Sequence, residues 1–362
     1  MGSSVAVGRK QWWDPRLVVV TTDPLNAETR LDLHDGIVTP NRLFFMRNRF
    51  RIPEVDSDTW RLTLSGEVAK EMSLSYLDLM AMPSTSLLVT TECAGNGRKA
   101  MQPAPEGEPW QYGAVSTAEW TGVPLHALLD KAGVRPSASE VVFEGRDRGP
   151  VGEAGEEVPF ARSLPIDKAM HRDTLLAYRM NGEPLPVAHG FPVRLVVPDW
   201  YGMASVKWLS EIRVAAESFR GFFQVERYVM IGDSFDPPVQ LTDAAVRSVI
   251  VSPGRHQRLQ TGSHVIRGFA WSGNGLLQVE VSADGGDTWR QAEWTSPRQA
   301  HAWRSWQCTW ELRACGSTEL QSRATDTQGT VQPRESTWNQ LGYACNAIQM
   351  VPVIVDEAST TS

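Results

Sequence analysis

The stretch Leu87-Leu88-Val89-Thr90-Thr91-Glu92-Cys93-Ala94-Gly95-Asn96-Gly97-Arg98 constrains the fold more than any other part of the chain. An apolar, β-branched run leads into a single cysteine, and two glycines and an arginine follow. The pattern predicts a buried strand ending in a tight loop, because β-branched side chains suit a pleated sheet and glycine supplies backbone angles other residues resist. The loop would hold a thiol beside a fixed positive charge, which favours the thiolate. Such a thiol could be a nucleophile or a metal ligand, and the same stretch equally describes a packed cysteine before a turn.

At 362 residues and 41% hydrophobic, the chain can bury a sizeable core and predicts two or three domains. The net charge of -7 is spread without long runs of one sign. That argues against nucleic acid or a membrane surface as partner, so any bound anion must be held by a local pocket. No run approaches the ~20 apolar residues of a membrane span. The first ten residues lack the apolar core of a signal peptide, so the expected location is cytoplasmic as written and periplasmic if a leader has been removed. The four cysteines form neither CxxC nor CxxCH, and the seven histidines form no HExxH. Zinc-ribbon, covalent-haem and histidine-ligated metal chemistry are thereby disfavoured, and Cys308 and Cys315 are expected to be free thiols.

Residues 1–40 read as an irregular, aromatic N-terminal extension. Leu43 to Arg51 then packs three arginines into an apolar run, where strand-like alternation would put Arg47 and Arg49 on one face. A guanidinium carried inward needs an anion. A strand is expected over Thr59–Gly66, helices over Leu74–Met82 and Leu125–Ala132, and a strand over Val141–Gly145 with Asp147 on the loop just beyond it. Asn181-Gly182 marks a turn between two strands. Arg194 and Lys207 lie in apolar runs, and several cations at strand ends suggest a pocket for a phosphate or another anion. Pro237-Pro238 reads as a linker, after which short alternating strands with turn signals, including Asp284-Gly285-Gly286-Asp287, predict a β-sandwich of about 110 residues. Trp306, Cys308 and Trp310 would share the core face of one strand.

The segments Glu92-Cys93-Ala94-Gly95-Asn96-Gly97-Arg98, Gly113 to Gly122, Met180-Asn181-Gly182 with His189-Gly190-Phe191-Pro192-Val193-Arg194, and Ser205-Val206-Lys207-Trp208-Leu209 together resemble the sulfite oxidase family. Gly268 to Gly273 and Val279 to Trp289 resemble that family's dimerisation domain. The resemblance implies an α+β molybdopterin domain over 41–235 and an all-β immunoglobulin-like sandwich over 240–355 that pairs two copies as a homodimer. It implies a molybdenum–molybdopterin cofactor with Cys93 as metal ligand, and Arg47, Asn48, Asp147, His189, Arg194, Ser205 and Lys207 as cofactor-binding residues. Arg47, Arg98 and Tyr228 would serve a small oxyanion substrate. The implied reaction is oxidation of sulfite to sulfate by oxo transfer, with no haem in the chain and electrons leaving to a separate acceptor such as a cytochrome. Two places depart from animal and plant members: Glu106-Gly107-Glu108-Pro109 stands where they carry a lysine, and Trp338-Asn339-Gln340-Leu341-Gly342 lacks their arginine. Both changes remove positive charge and bear on the substrate rather than the cofactor. The alternatives are a molybdenum reductase of nitrate or an S- or N-oxide, and a non-catalytic dimeric β-sandwich protein.

Overall fold

A computed structural model describes residues 13–357. The described chain opens with the hairpin β1 (Val18–Thr22) and β2 (Leu25–Glu28). There follow β3 (Arg61–Gly66), β4 (Met72–Ser75), α1 (Tyr76–Met80), β5 (Thr85–Glu92), β6 (Val115–Pro124) and α2 (Leu125–Ala132). Next come β7 (Glu140–Val151), β8 (Glu156–Pro165), α3 (Ile166–Ala169), β9 (Leu175–Met180), β10 (Glu183–Pro184), β11 (Arg194–Val196), β12 (Leu209–Ala215), α4 (Phe222–Val225), β13 (Val229–Gly232) and β14 (Phe235–Gln240). Two five-stranded sheets organise this half: β10-β9-β6-β5 with β11 also on β9, and β4-β3-β12-β7-β8. Between and beside them lies a core that includes Trp60, Leu62, Leu128, Phe143, Leu195 and Ile212.

The second half contains β15 (Arg247–Ser252), β16 (Arg258–Gln260), β17 (Gly262–Trp271), β18 (Leu276–Ser282), β19 (Arg290–Gln291), β20 (Glu293–Trp294), β21 (Arg304–Leu312), β22 (Gly316–Asp326) and β23 (Met350–Asp356). The sheets β15-β17-β21-β20 and β16-β23-β22-β18-β19 share one core, to which Ile266 and Trp306 come from the first and Val281 and Val353 from the second. Trp306, Cys308 and Trp310 all face it, as strand alternation requires. All four cysteines are free thiols.

Several expectations are corrected. Among the described residues the four α-helices span five, eight, four and four residues, so strands dominate more than the α+β expectation implied. Leu74–Met82 is not one helix: β4 pairs with β3 up to Ser75, whose side chain then caps α1 by accepting from Asp78 N–H at 3.1 Å. Leu43–Arg51 forms no strand, and only Met46 bridges to Ala27, so alternation does not govern its arginines. Asp147 lies within β7, where pairing with β8 slips between Glu144 and Arg148. Pro237 and Pro238 sit in β14, paired with β13, rather than in a free linker. The described part of the N-terminal segment, residues 13–40, packs on the rest of the chain: Glu28 is buried and accepts from the N–H groups of Gln111 and Gly113 at 3.0 and 3.1 Å.

The two halves meet along a mixed seam. Val115 packs with Val249, Phe269, Trp271 and Trp303. Thr90 N–H donates to His301 O at 2.9 Å, and Trp303 N–H donates to Thr90 Oγ1 at 2.7 Å. The His301 ring is clasped by two carboxylates of the first half, Asp199 at 2.9 Å from Nδ1 and Asp173 at 3.1 Å from Nε2. Burial opposes the charged ring, yet Asp199 and then Asp173 outweigh it and raise the His301 pKa above 6.5. A raised folded-state pKa stabilises the fold fully below the unfolded value and ceases to as pH climbs through the folded value. The melting-temperature gap between wild type and His301→Gln is therefore expected to be widest below about pH 6.5 and to narrow at alkaline pH, as thermal denaturation across that range would show; a gap independent of pH would exclude the clasp.

Candidate active site

β5, half-buried at its start and buried at its end, delivers Cys93, and the loop turns immediately behind it. Cys93 N–H donates to Ala114 O at 2.8 Å, and Asn96 N–H donates back to Cys93 O at 2.9 Å. The loop is locked from below by Glu92. One carboxylate oxygen accepts from Asn96 Nδ2 at 2.9 Å and from Arg247 Nη1 at 2.9 Å, and the other accepts from Trp271 Nε1 at 2.8 Å. Arg247 Nη1 also donates to Asn96 O at 3.0 Å. Arg247 and Trp271 belong to the second half, so the thiol is positioned by both halves. Gly97 is the residue the loop requires: its φ is 85°, and a Cβ there would lie 2.4 Å from Arg247 Nη2.

Cys93 opens into a cleft enclosing about 680 Å³, also lined by Arg47, Asp147, His189, Arg194, Ser205, Lys207 and Tyr228. Eight of the ten expected site residues thus converge from six separate segments. Asn48 and Arg98 do not line this cleft. Asn48 is fully buried behind it, donating to Leu25 O at 2.6 Å and accepting from Lys207 Nζ, so it positions the lysine. Arg98 lines an adjoining cavity of about 450 Å³, together with Arg47, Arg49, Glu106, Glu108, Tyr228 and Tyr343. Its Nε donates to Leu341 O at 3.0 Å and Gly342 O at 3.2 Å, and its Nη1 donates to Glu108 O at 2.9 Å.

Several buried or half-buried cations share the cleft with one carboxylate, Asp147. Lys207 Nζ donates to Arg47 O and Ala188 O at 2.9 Å each, and Arg194 donates to His189 O and Ser205 O at 3.1 Å each. Burial pushes Arg194 down to about 9, and burial with Lys207 and Arg194 nearby pushes His189 down to about 3. Lys207 is lowered by burial and by Arg194. Asp147 is raised to about 7 by burial, against the pull of Lys207, and its Oδ1 is buried with no hydrogen-bond partner among the described residues. Burial raises the Cys93 thiol, with Arg47 and then Arg98 favouring the thiolate.

These features fit a molybdenum–molybdopterin group. Among the described residues no cluster of three or more His, Cys, Asp or Glu could hold a metal, and the donor the cleft offers a soft metal is the Cys93 thiol, which suits a group that carries further sulfur donors of its own. The orphaned Asp147 oxygen suits an N–H of a heterocycle, and the mutually repelling cations suit a phosphate. Sequence reasoning set Arg49 beside Arg47 without assigning it to the site, and missed Tyr343 and the Glu92–Arg247 pair. Arg49 stands two residues after Arg47 and Glu92 directly before Cys93, but nothing local marks Arg247 or Tyr343.

Because Glu92 and Arg247 are both nearly inaccessible, removing one leaves the other charged and unpaired. Arg247→Met is expected to destabilise the protein by about 3–5 kcal/mol, and Gly97→Ala by more than about 1 kcal/mol, both measured by denaturant unfolding.

Comparisons with known proteins identify the family. The Oxidoreductase molybdopterin binding domain family matches residues 49–223, and the Mo-co oxidoreductase dimerisation domain family matches residues 239–356. Mitochondrial sulfite oxidase of Macaca fascicularis is 39% identical over 365 residues, covering 94% of this chain and 66% of that protein. The chain thus spans just under two thirds of that relative's length. Sulfite oxidase of Gallus gallus is 34% identical over 360 residues, covering 92% of this chain and 77% of that protein. The crystal structure of the sulfane dehydrogenase SoxCD from Paracoccus pantotrophus is similar with a TM-score of 0.82 at 29% identity, covering 99% of this chain and 96% of that one. The chain belongs to the sulfite oxidase family of molybdenum-cofactor oxidoreductases, its molybdopterin-binding domain followed by that family's dimerisation domain.

Proposed function

We propose that the protein oxidises a small sulfur compound, sulfite foremost, and passes the electrons to a separate acceptor such as a cytochrome. The observation that carries this reading is the single buried Cys93 thiol at the floor of a cation-lined cleft, with Arg47 and Tyr228 lining both that cleft and the adjoining cavity. Relatives named for sulfite and sulfane oxidation support the sulfur substrate. When bound, the molybdenum–molybdopterin group supplies oxo transfer and two-electron redox chemistry.

The chain's own residues do the rest. Cys93 provides a thiolate, and the arginines favour its deprotonation against the cost of burial. Lys207, Arg194 and Ser205 would hold the phosphate end of the cofactor, with His189 beside them, and Asp147 would accept from its ring. Burial opposes the charge on Arg47, but Tyr228, Glu108 and Cys93 around it outweigh burial and keep it a firm cation. A cation in a partly dry pocket attracts an anion more strongly than in water. The Tyr228 ring stacks on Tyr343 at 5.4 Å, which holds its phenol at the junction of the two cavities, where it can donate to a substrate oxygen. In balance, sulfite and water give sulfate, two protons and two electrons. The dimerisation domain supports a homodimer as the working form.

Anaerobic mixing of oxidised, molybdenum-loaded protein with sulfite is expected to bleach the visible charge-transfer absorption of the Cys93 sulfur–molybdenum bond. A band that persists would sink the sulfite assignment and turn the search to nitrate and organic oxides. Cys93→Ser is expected to keep the fold by circular dichroism while losing that band and its turnover; normal activity in this variant would remove Cys93 from the reaction.

A further inference from the structure

The adjoining cavity carries more positive charge than it offers to a ligand. Arg98 spends its Nε on Leu341 O and Gly342 O and its Nη1 on Glu108 O, and its guanidinium lies over the Tyr343 ring at 5.1 Å. Arg47 donates from Nη1 to Asn48 O. The Glu108 carboxylate reaches between the two arginines, 3.3 Å from Arg47 Nη2 and 3.7 Å from Arg98 Nη1. Arg49 differs from both. It lines the cleft and the cavity, makes no hydrogen bond or ion pair among the described residues, and its buried Nε has no partner. Its guanidinium lies over the Phe223 ring at 5.7 Å.

Resting on the reading of this site as a sulfur-oxidising one, we propose that Glu108 is a specificity-determining residue that fills the Arg47–Arg98 anion site from within the chain, leaving Arg49 to take the charge of the substrate. A compact dianion seeking both Arg47 and Arg98 must displace Glu108 or lie against it, and like charges at such distances repel strongly in a partly dry cavity. A sulfur substrate with one negative charge needs only one open guanidinium and avoids that repulsion. The cavity therefore favours singly charged sulfur compounds, among them hydrogensulfite, the protonated form of sulfite, over small dianions. Glu108 ionises readily here: although burial opposes its charge, Arg47, then Arg98 and, more weakly, Arg49 hold its pKa below the usual range; Arg49 feels this carboxylate but forms no ion pair with it.

The test uses two probes with the same head group, sulfate as the dianion and methanesulfonate as the monoanion, titrated calorimetrically into molybdenum-loaded protein. Glu108→Gln is expected to tighten sulfate about tenfold or more and methanesulfonate far less, while Arg49→Met weakens methanesulfonate. Glu108→Asp, which keeps the charge on a shorter arm, is expected to fall between wild type and Glu108→Gln, and circular dichroism establishes that each variant is folded. Unchanged sulfate affinity in folded Glu108→Gln, or unchanged methanesulfonate affinity in folded Arg49→Met, overturns the proposal. The anaerobic reduction assay separates this from the function itself. Wild type reduced by sulfite with no effect of Glu108→Gln on sulfate affinity keeps the activity and loses the anion site. Tighter sulfate in Glu108→Gln, with no sulfur compound able to reduce wild type, keeps the site and loses the activity.

Discussion

A carboxylate withdrawn from water is tolerable only when its partners are already in place, and Glu92 is such a carboxylate. Its partners come from its own loop through Asn96 and from the second half through Arg247 and Trp271. Desolvating such a pair costs about as much as its attraction returns, so its effect is one of selection: it permits one arrangement and penalises the rest. The arrangement it permits puts Cys93 at the floor of the cleft. The second half is consequently part of the active site's architecture.

The same dependence recurs at Arg98. Its guanidinium is fed by the carbonyls of Leu341 and Gly342, and Gly95, Gly107 and Gly342 leave the space it occupies, since a Cβ at each would lie within 3.0 Å of its side chain. An arginine so engaged is a scaffold for its surroundings. Lys207 and Arg194 likewise rest on backbone carbonyls, which lets several cations share a desolvated space until an anion joins them.

Local pattern carried much of the fold. The helix Leu125–Ala132 has the expected bounds, with leucines on its buried face and Gly133 closing it at a φ of 70°. Asn181-Gly182 makes its turn, and the short strands of the second half lie near their expected positions because alternation is a local property. The failures have a physical cause in common. Ser75 reads as helix by composition but belongs to a strand because β3 pairs with it. Asp147 reads as a turn residue, yet β7 continues past it through a slip in register with β8. In Leu43–Arg51 the residues pack individually against distant parts of the chain, so no period applies. Residues 1–12 lie outside the described structure.

For the site, the sequence by itself determined the chemical inventory: a thiol after a strand, glycines behind it, arginines and a lysine in apolar runs, and an aspartate just past an expected strand. Each of those is a side-chain property that a local motif displays. Only the tertiary structure decided which cations are spoken for. Arg98 is engaged by carbonyls 243 and 244 positions away, Arg47 is paired with Glu108, and Arg49 alone of the three has no hydrogen bond or ion pair among the described residues. A backbone carbonyl is the same in every residue, so its capture of a guanidinium leaves no mark in the sequence and exists only once the chain has folded.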